Sequence, residues 1–166
     1  RPYGDIDLFV PEAEHSAATA ALHRAGGPPL SVDLHAGFPD LDDRPPAELL
    51  ARSRTAALAG VEIRMFGPED HLRLVSLHAL RHGLERPLWL CDVAALVEAR
   101  PPDFDWDYFR KGDDRRWDAI AGALGLASRI LGGDLAGAPA GPPRRQRRAV
   151  PGRRGRGREL VRAQSG

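Results

Sequence analysis

Two aspartates alternate with large apolar residues in the first segment of the chain, RPYGDIDLFV, where Asp5 and Asp7 flank Ile6 and are followed by Leu8, Phe9 and Val10. Alternation with period two marks a strand, in which side chains i and i+2 share a face. Asp5 and Asp7 are therefore expected side by side, with Ile6 and Leu8 turned into a core. Aspartate is depleted in strands, and two adjacent carboxylates without a basic partner between them repel. A divalent cation is the usual reason to keep them. The pattern returns at Leu30, Val32 and Leu34, which alternate with Ser31, Asp33 and His35. The residues between the two segments suffice for a helical crossover, the connection that places two parallel strands in one sheet. Asp33 would then join Asp5 and Asp7 as a third carboxylate, a hard oxygen donor set suited to Mg²⁺.

The rest of the chain divides by its punctuation. Pro11, Glu12 and Glu14 suit the positive start of a helix running to His23 and stopping at Gly26, Gly27, Pro28 and Pro29. An irregular acidic loop follows from Gly37 to Arg44, and Pro45 and Pro46 open another helix. Val61 to Phe66 alternates and predicts a third, half-buried strand. Four helices are then expected, from Pro68 to His82, Pro87 to about Ala99, Asp105 to Arg110 and Arg115 to Leu131. Strands first and helices afterwards indicate an α+β chain, a mixed sheet with flanking helices leading into a helical bundle. We divide it into residues 1–66, 67–135 and 136–166, the last a disordered tail rich in Arg, Gly and Pro.

A net charge of +1 hides a strong asymmetry. Residues 144–166 hold nine Arg and one Glu, leaving 15 basic and 22 acidic side chains in the body. An acidic body argues against nucleic acid as the partner, because affinity for a phosphate backbone comes from basic surface. The tail reads either as an RNA- or membrane-touching arm or as an unselected end of a coding sequence rich in Arg, and we favour the second. No run reaches the ~18 apolar residues of a membrane span, and neither a signal peptide nor a disulfide framework is visible. The single cysteine, Cys91, agrees with a reducing cytoplasm and is expected to be buried and inert, set as it is beside Leu88, Trp89 and Leu90.

Taken together, RPYGDIDLFV, VDLH, FGPEDHLRLVSLHALRHG, PLWLCDVAALVEA and FDWDYF, in this order from Arg1 to about Gly133, resemble the bacterial uncharacterised nucleotidyltransferase family of the DNA polymerase beta-like superfamily. The resemblance implies transfer of a nucleoside monophosphate from an NTP to an acceptor hydroxyl with Mg²⁺, the acceptor being a small molecule, a peptide or a protein. It also implies metal binding by Asp5, Asp7 and Asp33, with Asp33 as third ligand or general base. Arg1 matches the arginine before the family's Asp-x-Asp and is assigned to phosphate. His35, on the Asp33 face, is assigned to the substrate or to a hydrogen bond with a carboxylate. Members carry a helix and a small-residue triphosphate loop upstream of Asp-x-Asp, so a chain beginning at Arg1 reads as an N-terminally incomplete copy.

Two other readings compete, a degenerate module that binds a nucleotide or partner without chemistry, and a metal-dependent hydrolase using the carboxylates with His71, His78 and His82. Those histidines share a broad face of one helix, but the segment between His78 and His82 lacks the glutamate of a zinc protease, and we assign them to packing or to the substrate side. Glu69 and Asp70 are expected to serve the free N–H groups at the start of that helix, and Asp92 to pair structurally with the preceding helix.

Overall fold

The computed structural model describes residues 5–25 and 31–139. Arg1, the expected helix stop at Gly26 to Pro29 and the Arg-rich segment 144–166 lie outside the described residues. Strand β1 (Asp5–Phe9) leads through helix α1 (Glu12–Arg24) to β2 (Ser31–His35). The two strands pair in parallel, with Asp7 opposite Asp33 and Phe9 opposite His35, and α1 packs on β2 as the crossover. Ile6 and Leu8 depart from expectation. They stay 43% and 40% exposed, because α1 lies against β2 and buries none of its own residues.

After a 3₁₀ turn at Pro39–Leu41 comes helix α2 (Pro46–Arg52), then strands β3 (Arg54–Leu58) and β4 (Val61–Met65). β4 is the expected third strand, but its antiparallel partner β3 was not foreseen. The pair turns through Ala59 and Gly60, both with positive φ, as a tight two-residue hairpin demands. Nor is β4 half buried, since only Ile63 on its central position is partly covered. The parallel and antiparallel pairs form two separate two-stranded sheets among the described residues.

Helices α3 (Pro68–Arg81), α4 (Pro87–Glu98), α5 (Trp106–Arg110) and α6 (Asp114–Leu131) make up the second half. Pro68 and Pro87 occupy first helical positions, where the missing N–H costs nothing. The Asp105 and Asp113 side chains accept N–H groups of α5 and α6 as N-caps, and Gly132 ends α6 in the left-handed conformation. Leu72 of α3, Val93 and Val97 of α4, Phe109 of α5 and Ile120 and Leu124 of α6 meet in one core, with Phe109 set edge-on against Trp117. Cys91 corrects the sequence reading, for it is exposed on α4. Its neighbour Leu90 takes the inward position instead.

A buried polar network joins the two halves. Arg44 and Arg73 are 4% and 0% exposed. The Arg44 Nη2 donates to the carbonyl of Tyr108 at 2.7 Å, and Arg73 donates from Nη1 to the carbonyl of Phe109 and from Nη2 to Asp43. These carbonyls lie at the end of the five-residue α5, where intrahelical donors run out, and that of Tyr108 also accepts the N–H of Lys111 at 3.1 Å. Glu69 and Asp70 do not cap α3 as expected. Glu69 accepts the backbone N–H of Asp105 at 2.9 Å and faces Arg52 at 3.4 Å. Asp70, fully buried, accepts the Tyr108 hydroxyl at 3.0 Å and lies 3.9 Å from Arg44. The Tyr108 ring has the guanidiniums of Arg52 and Arg44 at 3.7 and 4.2 Å from its centroid, a paired cation–π contact.

Gly112 closes this network, with φ of +125° and a position where a Cβ would run into the Asp43 carboxylate. Gly112→Ala is expected to lower stability by about 1–3 kcal/mol from backbone conformation alone, and urea denaturation measures it. Burial raises the Asp70 pKa, against the pull of the Tyr108 hydroxyl and Arg44, and burial with the Asp70 charge raises that of Tyr108. Because its folded pKa lies above the unfolded value of about 10, Tyr108 contributes stability fully below that value and loses it as pH rises beyond. In a Tyr3→Phe variant, absorbance at 295 nm should show no phenolate step near pH 10 in the folded protein. A normal step there, with the protein still folded, would contradict the Tyr108–Asp70 bond.

Candidate metal centre

Register decides what β1 and β2 hold together. Asp7 and Asp33 are Cα partners on neighbouring parallel strands, so their side chains leave the same face about one strand spacing apart, ~4.8 Å. His35 follows Asp33 by two and shares that face. One donor atom from each of Asp7, Asp33 and His35 lies within 4.8 Å of the others, and no further group of three or more such residues occurs among the described residues. Asp5 stands two residues before Asp7, paired with Ser31. Arg1 lies outside the described residues.

His35 Nε2 is 2.7 Å from Asp7 Oδ1. A carboxylate only accepts, so Nε2 carries the proton and donates. That bond fixes one oxygen of Asp7 and leaves the other, with both of Asp33, for a ligand. The donor set suits a hard cation with water in its shell, since the Asp7 side chain is 56% exposed and His35 is already committed to Asp7. An imidazole joined directly to the ion would instead favour a transition metal.

Three phenylalanines hold the site against the rest of the chain, and sequence reasoning singled out none of them. Phe38 packs on the His35 ring at 4.6 Å and on Phe9 and Phe66 at 6.2 and 5.7 Å. Phe9 ends β1, while Phe66 lies between β4 and α3. The signal available was their position, each an aromatic at the end of a strand or its following loop.

The histidine stripe does not act as one unit. His71 lines a small cleft of about 180 Å³ with Met65, Phe66 and Leu96, and burial lowers its pKa. His78 and His82 pair with each other and with Trp89. A larger open groove of about 580 Å³ beside Arg100, Phe104 and Trp106 contains no residue of the carboxylate cluster.

A family model described as uncharacterised nucleotidyltransferase matches residues 27–119, more than half of the chain. The chain belongs to this nucleotidyltransferase family. The matched span contains Asp33, His35 and the helices through the start of α6, whereas Asp5 and Asp7 precede it. No curated protein and no solved structure matches the chain.

Asp7→Asn and Asp33→Asn remove exposed charges from a like-charged pair, so each should change stability without metal by less than about 0.5 kcal/mol. Metal should separate them from the parent. Mg²⁺ at ten times its dissociation constant raises the stability of the parent by about 1.4 kcal/mol and that of either variant by much less. Thermal unfolding with and without Mg²⁺ reads this, and an equal shift in all three would remove the cluster as the binding site.

Proposed function

We propose that the protein transfers a nucleoside monophosphate from an NTP to an acceptor hydroxyl and releases pyrophosphate. The observation that carries the reading is the in-register placement of Asp7 beside Asp33, with His35 bonded to Asp7, in a chain of a nucleotidyltransferase family. Asp7 and Asp33, with Asp5 two residues earlier on the same strand, would hold Mg²⁺. When bound, that ion would neutralise triphosphate charge and keep the reacting phosphate in line.

The chain's own residues do the rest. His35 keeps its Nε2 proton on Asp7 Oδ1 and so fixes which oxygen of Asp7 faces the substrate. An oxygen of Asp33 accepts the proton of the acceptor hydroxyl as the hydroxyl oxygen attacks the α-phosphorus and the bond to the pyrophosphate leaving group breaks. Arg1 is assigned to the phosphates, as the resemblance suggests. The acceptor is a small molecule, a peptide or a protein. No helix among the described residues is long and apolar enough to cross a membrane, and we assign the activity to the cytoplasm, where NTPs are abundant.

The hydrolase reading loses its support, because His71, His78 and His82 join no carboxylate cluster among the described residues. In the natural polypeptide that carries these residues, Asp7→Asn or Asp33→Asn should lower transfer of label from α-³²P-NTP by at least about a hundredfold. His35→Ala should lower it less, by about tenfold, because Asp7 keeps its charge but loses its orientation. Unchanged transfer by the two Asp variants would sink the assignment.

A further inference from the structure

Beyond the carboxylates, one ring cluster is linked to the same site through a chain of contacts. The last turn of α3 and the first turn of α4 bring three rings together. His78 and His82 have centroids 4.6 Å apart, and Trp89 lies 5.7 Å from the first and 5.2 Å from the second. The core lies elsewhere on the same helices, at Ala79, Leu90 and Val93. His82 is exposed, and His78 and Trp89 are only half buried.

A short relay ties these rings to the metal centre. Phe38 packs on His35, and two residues later Asp40 holds Arg81 at 3.2 Å. Arg81 in turn lies 3.2 Å from Nδ1 of His78. The Asp7 and Asp40 charges are both felt at His78, yet burial first, then His82 and Arg81, bring its pKa down, so the ring is neutral at pH 7. The chemistry of the surface follows. A neutral imidazole, a second imidazole and an indole offer polarisable ring faces. Arg81 is occupied by Asp40, and the carboxyl end of α3 carries the negative end of its dipole. The exposed Arg86 lies over the Trp89 ring at 5.8 Å, and ring faces of this kind suit a flat heteroaromatic ring, which gains stacking energy whatever its sequence of donors and acceptors.

We propose that His78, His82 and Trp89 form the wall on which the nucleobase of the NTP stacks while its phosphates lie at Asp7 and Asp33. The wall rests on the transferase reading of that site and adds to it the residues that hold the nucleotide's base. The bland alternative is that the rings only lock the connection between α3 and α4, where Gly83 and Leu84 both have positive φ.

Tryptophan emission separates the two, using ATP, GTP, CTP and UTP with Mg²⁺, and Mg²⁺-tripolyphosphate as a probe that has the phosphates without the base. At least one NTP should quench an emission component that Trp89→Phe removes, while tripolyphosphate leaves it unchanged. His82→Ala, at an exposed position, should weaken binding of that NTP roughly five- to tenfold or more and leave tripolyphosphate affinity and the unfolding midpoint unaltered. Equal binding of NTP and tripolyphosphate, unaffected by His82→Ala, would overturn the wall while leaving the metal reading in place. NTP quenching that survives Asp7→Asn and Asp33→Asn with full affinity would support the wall and count against the phosphate site. If no probe binds, both fall.

Discussion

Burying Arg73 without solvent contact constrains everything around it. A guanidinium stays charged at any accessible pH, and taking it out of water costs several kcal/mol unless the protein supplies acceptors in the right places. Here those acceptors come from distant parts of the chain, Asp43 after β2 and the carbonyl of Phe109 at the end of α5. Arg44 repeats the arrangement from the other side, reaching the carbonyls of Tyr108 and Phe109. Removing one member of such a network leaves a buried charge unmatched, at about 3–5 kcal/mol. The loop after β2 therefore has one way to sit against the helices.

That fixed loop is what gives the carboxylate site a second wall. Asp42 and Asp43 are held by Arg116 and Arg73, and Asp40 by Arg81, so the segment from Phe38 to Arg44 is pinned along its length. Phe38 carries the constraint to His35, and His35 to Asp7. The parallel register supplies the remainder. A slip of one residue between β1 and β2 would turn one of Asp7 and Asp33 to the opposite face and dissolve the cluster, which depends on the crossover and on ring contacts at Phe9 as much as on the two aspartates.

The sequence made the grouping of Asp7, Asp33 and His35 legible because its signal is local. Alternation in two short segments placed Asp7, Asp33 and His35 on one face, and only the pairing of the strands had to be inferred. The helices were legible for a similar reason, three of their starts being marked by Pro68, Pro87 and Asp105. Strand β3 was not, since Arg54 to Leu58 is rich in alanine and resembles the end of α2 more than a strand. Its clue lay in Ala59-Gly60 ahead of a clear strand. The polar network was invisible for a deeper reason. Arg44, Asp70 with nearby Arg73, and Tyr108 come from three segments 26 to 64 residues apart along the chain and acquire meaning only through tertiary contact. Nothing in the pattern around Asp70 tells a buried carboxylate from a solvated first-turn acid, and Cys91 failed likewise, because apolar neighbours on a helix do not share its face.

Helix α3 is where these separate demands meet. Leu72 and Ala79 are fully buried in the apolar interior, while Asp70 and Arg73 lie in the charged network. His78 and His82 lie on a flank of the same cylinder, beside Trp89 of the next helix. The rigid packing of the first two sets fixes the rotation of the helix about its axis, and with it the direction in which the histidines point. Precision at a site comes from side chains on elements that cannot turn. An exposed two-stranded pair carrying the carboxylates cannot supply that alone, since Ile6 and Leu8 are open to solvent. The helical half supplies it through the loop from Phe38 to Arg44, so substitutions in the network far from Asp7 should be felt at the carboxylates through geometry rather than charge.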